Sequence, residues 1–118
     1  MKLYVKASKK HDLELLKSLA GKDEWVVVNI LNYYSGKVIE KALIKVNKIY
    51  GRVFYNSITL PFHYSSQYDN ALDYVSDSGI NIDNVLRTEG SVLKDCVKVI
   101  EPVESYTTEE LRKVIEEE

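Results

Sequence analysis

Seven consecutive residues, Trp25-Val26-Val27-Val28-Asn29-Ile30-Leu31, are apolar and mostly β-branched at every position but one. A strand with one wet face alternates apolar and polar side chains, and this run does not. It is therefore read as a central strand, buried on both faces. Whatever this chain folds into has a sheet with Trp25–Leu31 in its middle.

The flanking sequence supplies neighbours for it. Asn32-Tyr33-Tyr34-Ser35-Gly36 is a turn cluster. Beyond it Ala42, Ile44 and Val46 alternate with Lys41, Leu43 and Lys45, Tyr50-Gly51 breaks the run, and Arg52-Val53-Phe54-Tyr55-Asn56 returns, as a β-hairpin does. Ahead of the central strand, Leu3, Val5 and Ala7 alternate as a short strand. Ser8 can cap a helix reaching about Ala20, with Leu13, Leu16 and Ala20 on one face, Leu19 flanking, and Gly21 at the C-terminal cap.

Residues 58–68 read as a polar aromatic loop around Pro61, and 69–77 as a short helix ended by Gly79. Ile80-Asn81-Ile82 and residues 95–101 read as two further short strands, after which Pro102 stops the sheet. The closing helix has the clearest signal: Thr107 and Glu110 form a capping box, Tyr106 can staple onto Leu111, and Leu111, Val114 and Ile115 make a narrow apolar stripe. The order β-α-β-β-β-(α)-β-β-α predicts one α+β domain over residues 1–118. Its core is a small curved antiparallel sheet or SH3-like open barrel with N-terminal and C-terminal helices over its ends.

At 45% hydrophobic and 29% charged, with two prolines and five glycines, the chain has the composition of a globular domain and not of a disordered one. Its single cysteine, Cys96, cannot form an intramolecular disulfide. The sequence opens without a signal-peptide apolar run and has no membrane-length apolar stretch, so a soluble cytoplasmic protein is expected, with no membrane partner.

Catalytic chemistry has little to work with. The only nucleophile–base set available is Cys96 with His63 and one of Asp69, Asp73 or Asp83, and a lone cysteine alternating with Val97 and Val99 is expected to be a small buried hydrophobe. Two histidines and one cysteine, without ligand spacing, do not make a zinc site. The glycines are dispersed, so no phosphate loop exists. The expectation is a protein that is not an enzyme, with no cofactor and no metal.

The formal net charge of −2 conceals a partition. Residues 1–52 carry eleven Lys/Arg against five Asp/Glu, a net +6. Residues 53–86 carry four aspartates and no base, and residues 87–118 five bases against nine acids, each a net −4. Within the base-free segment Asp69, Asp73 and Asp77 are spaced i, i+4, i+8. On a helix they form one stripe of carboxylates about 6 Å apart along the axis. Asp83 and Glu89 could extend the stripe.

Such a ridge could occupy a basic groove that otherwise holds nucleic acid, with binding that weakens in salt. Tyr64 and Tyr68 stand beside it as contact residues, tyrosine giving large contact area at small entropic cost. Tyr33 and Tyr34 are further contact candidates. The alternative surface is basic: Lys41, Lys45, Tyr50 and Arg52, within residues 37–52 and with Tyr55 nearby, could bind single-stranded RNA or DNA directly. Self-association of the two charged segments is a third reading, with oligomeric state left open.

In size, lysine- and asparagine-rich composition, charge segregation and lack of a catalytic set, the chain resembles small accessory proteins of bacteriophages and mobile elements, such as anti-CRISPR and anti-restriction inhibitors. The resemblance is one of overall style and maps onto no position. It implies a stoichiometric inhibitor in a bacterial host cell, whose partner is a host protein with a basic groove, for example a CRISPR effector or other nuclease.

Overall fold

The computed structural model describes residues 2–4, 9–99 and 103–116, with side chains described for 13–99 and 104–116. In chain order the elements are β1 (Lys2–Tyr4), α1 (Lys9–Leu19), β2 (Trp25–Leu31), β3 (Val38–Tyr50), β4 (Arg52–Leu60), α2 (Tyr64–Gln67), α3 (Ala71–Ser78), α4 (Ile82–Arg87), β5 (Gly90–Leu93), a 3-10 turn (Lys94–Cys96), β6 (Val97–Val99), β7 (Val103–Tyr106) and α5 (Thr108–Glu116).

The apolar strand β2 does lie mid-sheet. β3 pairs with it along one side, while β6 and β7 share the other: Val28, Asn29 and Ile30 oppose Val99, Lys98 and Val97, and Trp25 and Val26 oppose Tyr106 and Ser105. β3 and β4 form a hairpin closed at Gly51, whose φ of +71° needs a residue without Cβ. β5 adds to β4 and β1 to β7, giving an all-antiparallel sheet in the order β1-β7-β2-β3-β4-β5, with β6 on β2.

One short link fixes the curvature. Along the path β6-β2-β3-β4-β5, a flat sheet would hold its outer strands roughly 19 Å apart, four spacings of about 4.8 Å. Yet β5 runs into β6 through only three residues of 3-10 helix, at about 2 Å of rise each. The sheet has to roll until those two edges approach. They do not pair, so the barrel stays open. Bulges between Ile30 and Leu31 and between Val46 and Lys48 add local bend and twist.

Rolling gives the sheet an inside and an outside, and each has its own core. Inside lie Val26, Val28, Ile30, Ala42, Ile44, Val46, Val53, Tyr55, Val97 and Val99, closed over by Leu16 and Leu19 of α1. The outward side chains Trp25, Val27, Leu43, Ile58 and Leu60 pack beneath Tyr64, Ala71, Val75, Ile82, Tyr106 and Leu111. α1 thus closes the inside, whereas the remaining helices cover the convex face rather than the ends of the barrel. The outward apolar residues of β2, β3 and β4 require that cover.

Several expectations change with the structure. β4 continues to Leu60 where a loop from residue 58 was expected, because Ile58 and Leu60 are core residues. Ile80-Asn81-Ile82 is not a strand: Asn81 Oδ1 accepts from the backbone N–H groups of Asp83 (3.0 Å) and Asn84 (3.3 Å) and caps α4. The strand expected over 95–101 begins only at Val97, because residues 94–96 form a 3-10 turn, and residues 100 and 101 lie outside the described residues. Nor does the sheet end at Pro102, since β7 follows it; Pro102 itself, like residues 5–8, lies outside the described residues.

The capping box is present, with Thr107 N–H donating to Glu110 Oε1 (3.0 Å) and Glu110 N–H to Thr107 Oγ1 (3.1 Å). Gly79 closes α3 in the left-handed region.

Candidate interaction surfaces

Of the two tyrosines placed beside the acidic ridge, Tyr64 is not a surface residue. Its side chain is 6% exposed and sits in the outer core. Its hydroxyl donates to Glu104 Oε2 at 3.0 Å, while the Ala71 N–H at the start of α3 donates to Glu104 Oε1 at 2.8 Å. The Tyr106 hydroxyl also donates to Glu104 Oε1. One carboxylate on β7 thereby holds α2, α3 and its own strand together. Burial, followed by the Glu104 charge and hydrogen bond, pushes the Tyr64 phenol well above its ordinary value of 10.0. Tyr106 is pushed up in the same direction, again by burial first.

Tyr68 does reach the surface. Its ring meets Tyr74 edge-to-face at 5.6 Å, and its hydroxyl donates to Asp77 Oδ2 at 2.8 Å, the bond that chiefly raises its phenol. The three-aspartate stripe is shortened to two. Asn70 is the N-cap of α3, its Oδ1 accepting from Asp73 N–H at 2.9 Å, so Asp69 precedes the helix. Asp73 and Asp77 remain one turn apart and exposed.

Asp83 does not extend the stripe as a free charge, because Arg112 of α5 pairs with it at 3.0 Å. Glu89 accepts from Asn47 Nδ2 at 2.8 Å. Among the described residues no cation pairs with Asp69, Asp73 or Asp77, so the acidic segment is not neutralised by direct contact with the lysines of the first half.

The alternative set shares one face. Pairing across the bulge turns Lys41, Lys45, Lys48, Tyr50, Arg52 and Phe54 outward with Leu43. Leu43 is fully buried beneath the helices, and this divides the set. Lys41 Nζ lies 5.6 Å over the Tyr64 ring. Lys45 donates to Asn47 Oδ1 at 2.8 Å. Asn47 Nδ2 in turn donates to Asn56 Oδ1 at 2.9 Å, and Asn56 caps the end of α4 by donating to the carbonyls of Val85 (3.1 Å) and Thr88 (2.9 Å).

At the hairpin tip Lys48 covers the Phe54 ring at 4.9 Å, Arg52 holds Ser91, and Tyr50 is 86% exposed. Tyr55 faces the inner core and belongs to no surface. Tyr33 and Tyr34 are exposed on the β2–β3 turn, in mutual edge-to-face contact at 5.3 Å.

Cys96 is 4% exposed, behaving as a buried hydrophobe, although in the 3-10 turn and not in a strand. His63 is exposed, and among the described residues no hydrogen bond joins it to Cys96 or to an aspartate. A pocket of about 260 Å³ lies at the start of α5, lined by Lys22, Asp23, Glu24, Ser105, Tyr106, Thr107 and Glu110. Its polar groups serve the fold: Asp23 accepts from Thr108 N–H at 3.0 Å, Trp25 Nε1–H donates to Thr108 Oγ1 at 2.9 Å, and Glu24 accepts from Ser105 Oγ at 3.3 Å. The Thr107 N–H holds the Glu110 carboxyl below its usual range. No group of three metal-ligating side chains occurs among the described residues, and no helix there is long and apolar enough to cross a membrane.

Comparison of the chain with protein-family models, with curated proteins and with solved structures finds no match. Sequence reasoning overlooked Asn29 and Lys98, which the register sets side by side on the convex face, and Phe62, 50% exposed two residues beyond Leu60. The signal for the first was in view, as the single polar residue inside the apolar strand β2.

Proposed function

We propose that the protein is a non-catalytic binding module that presents the surface around Tyr68, Asp69, Asp73 and Asp77 to a basic, nucleic-acid-binding surface of a partner protein, acting as a stoichiometric inhibitor. The observation that carries this reading is that, among the described residues, no cation is paired with any of the three aspartates. Exposed carboxylates cost little desolvation to bring up to a basic groove. They act mainly by steering association and excluding wrong partners, an effect that salt weakens. Tyr68, propped on Tyr74 and Asp77, adds an aromatic contact of fixed orientation.

The test uses immobilised protein and a host lysate. A partner should be held at low salt, displaced by added nucleic acid, and lost when Asp69, Asp73 and Asp77 are all changed to Asn, with the melting temperature nearly unchanged. A partner retained equally by the triple variant, or indifferent to nucleic acid, overturns the reading.

A further inference from the structure

Neither core accounts for Asn29. Its side chain points outward with Trp25 and Val27, at a level where the register sets Lys41 of β3 on one side and Lys98 of β6 on the other. Directly opposed residues on adjacent strands hold their Cβ atoms about 5 Å apart. The three side chains therefore form a single row across three strands, cation–amide–cation. The helical layer covers it only in part: Lys41 Nζ reaches the Tyr64 ring of α2, yet Lys41, Asn29 and Lys98 are half-buried where Leu43 is fully buried.

Asn29 Oδ1 is itself buried and, among the described residues, accepts no hydrogen bond. Among the described residues neither lysine pairs with a carboxylate, and Glu40, the nearest acid on β3, stands opposite inward-pointing Ile30 and so on the other face.

The segments that continue its strands supply an aromatic rim. Phe62, 50% exposed, follows Leu60, the register partner of Lys41, and precedes Tyr64, whose ring lies under Lys41 Nζ. Tyr33, Tyr34 and Lys37 stand on the β2–β3 turn, which Asn32 N–H closes onto Lys37 O at 2.8 Å. A simple inorganic anion would satisfy the lysines but bring no flat face to the rings. An acidic peptide segment, though its backbone N–H groups could reach Asn29 Oδ1, brings no regular series of flat faces. A nucleotide chain brings all three: phosphates, base N–H donors and π-faces.

We infer that this row and its rim bind single-stranded nucleic acid, with phosphates on Lys41 and Lys98, a base on Phe62, and a base N–H donated to Asn29 Oδ1. The site uses neither the hairpin-tip residues nor the three aspartates, and it does not rest on the inhibitor reading.

Fluorescence anisotropy with end-labelled dT12 tests it. At about 50 mM salt, binding in the micromolar range is expected, with log K falling against log salt at a slope of about −1.4, near −0.7 for each of two phosphates. Lys41→Gln with Lys98→Gln should weaken binding at least tenfold and flatten the slope. Phe62→Ala, at a position 50% exposed and outside both cores, should weaken it about tenfold with the slope unchanged. Lys48→Gln with Arg52→Gln, and Asp73→Asn with Asp77→Asn, should change affinity less than twofold.

No binding by a folded wild-type protein overturns the inference. So does binding that survives the Lys41/Lys98 variant, that is lost in the Lys48/Arg52 variant, or that ignores Phe62→Ala. Inorganic polyphosphate competing as well as unlabelled dT12 would show that charge alone is read, and would also overturn it.

Discussion

The two cores on either side of the sheet are built by different rules. The inner one is almost wholly aliphatic, with Val, Ile, Leu and Ala from five strands and α1 and a single tyrosine at its margin. Its specification comes from alternation: a one-residue slip in any strand would turn its apolar set away from the others. The outer core holds the polar-tipped rings of Trp25, Tyr64 and Tyr106, and its helices are located by directional bonds: Glu104 to two tyrosines and Ala71, Thr108 to Trp25 and Asp23, Asn56 to the end of α4. Apolar burial is non-directional. It makes the barrel stable, but short helices of four to nine residues need hydrogen bonds to choose where on the convex face they sit.

That contrast can be broken at either layer. Ile44→Ala, in the fully buried inner core, should cost about 4 kcal/mol, and urea unfolding followed by circular dichroism and by Trp25 fluorescence should shift together. Glu104→Gln should cost about 2–3 kcal/mol, since it weakens three hydrogen bonds to a partly buried charge. Its signature is local: hydrogen exchange should speed in α3 while the β3–β4 amides keep their protection. Equal loss in both would mean that the layers unfold as one.

Alkaline pH probes the same knot. Tyr64 and Tyr106 are raised above 10.0 in the folded protein. Below pH 10 both states hold the phenolic proton and stability is unaffected. Above it the unfolded chain releases protons that the folded protein keeps, so stability falls as pH rises, by at most about 1.4 kcal/mol per pH unit for each tyrosine. Urea midpoints between pH 9 and 11 should show this decline, and Tyr64→Phe should lessen its slope. Thr107→Ala, which removes one half of the capping box, should have the smallest effect, about 1 kcal/mol in the same measurement.

What the sequence disclosed follows the same division. The central strand, the hairpin about Gly51, the end of α3 at Gly79 and the capping box of α5 are written in neighbouring residues, and all were legible. β5 and β7 were not, because Gly90-Ser91-Val92-Leu93 and Val103-Glu104-Ser105-Tyr106 are too short and too polar to announce strands, and they exist as strands only through their partners. Ile80-Asn81-Ile82 offers three residues of alternation, too few to tell a strand from a capped helix.

The surface residues divide likewise. Tyr64 and Tyr68 look alike in sequence, four positions apart; Glu104, forty residues on, draws one into the core and leaves the other outside. Asp83 looked like part of the ridge until Arg112, twenty-nine residues away, claimed it. Lys41 and Lys98 could be recognised as a pair only once β2 had brought both against Asn29.

The three-residue link at Lys94–Cys96 also orders events during synthesis. Chain emerging from a ribosome has β2, β3 and β4 long before β6 and β7, yet β2 relies on those last two for its second edge. Until residue 106 is available, the most apolar strand of the protein carries an unpaired edge, the kind of surface on which sheets of different chains join. The sheet is thus completed last at the strand that anchors it, and a chain halted before Val97 has β2 to β5 but leaves one edge of β2 bare.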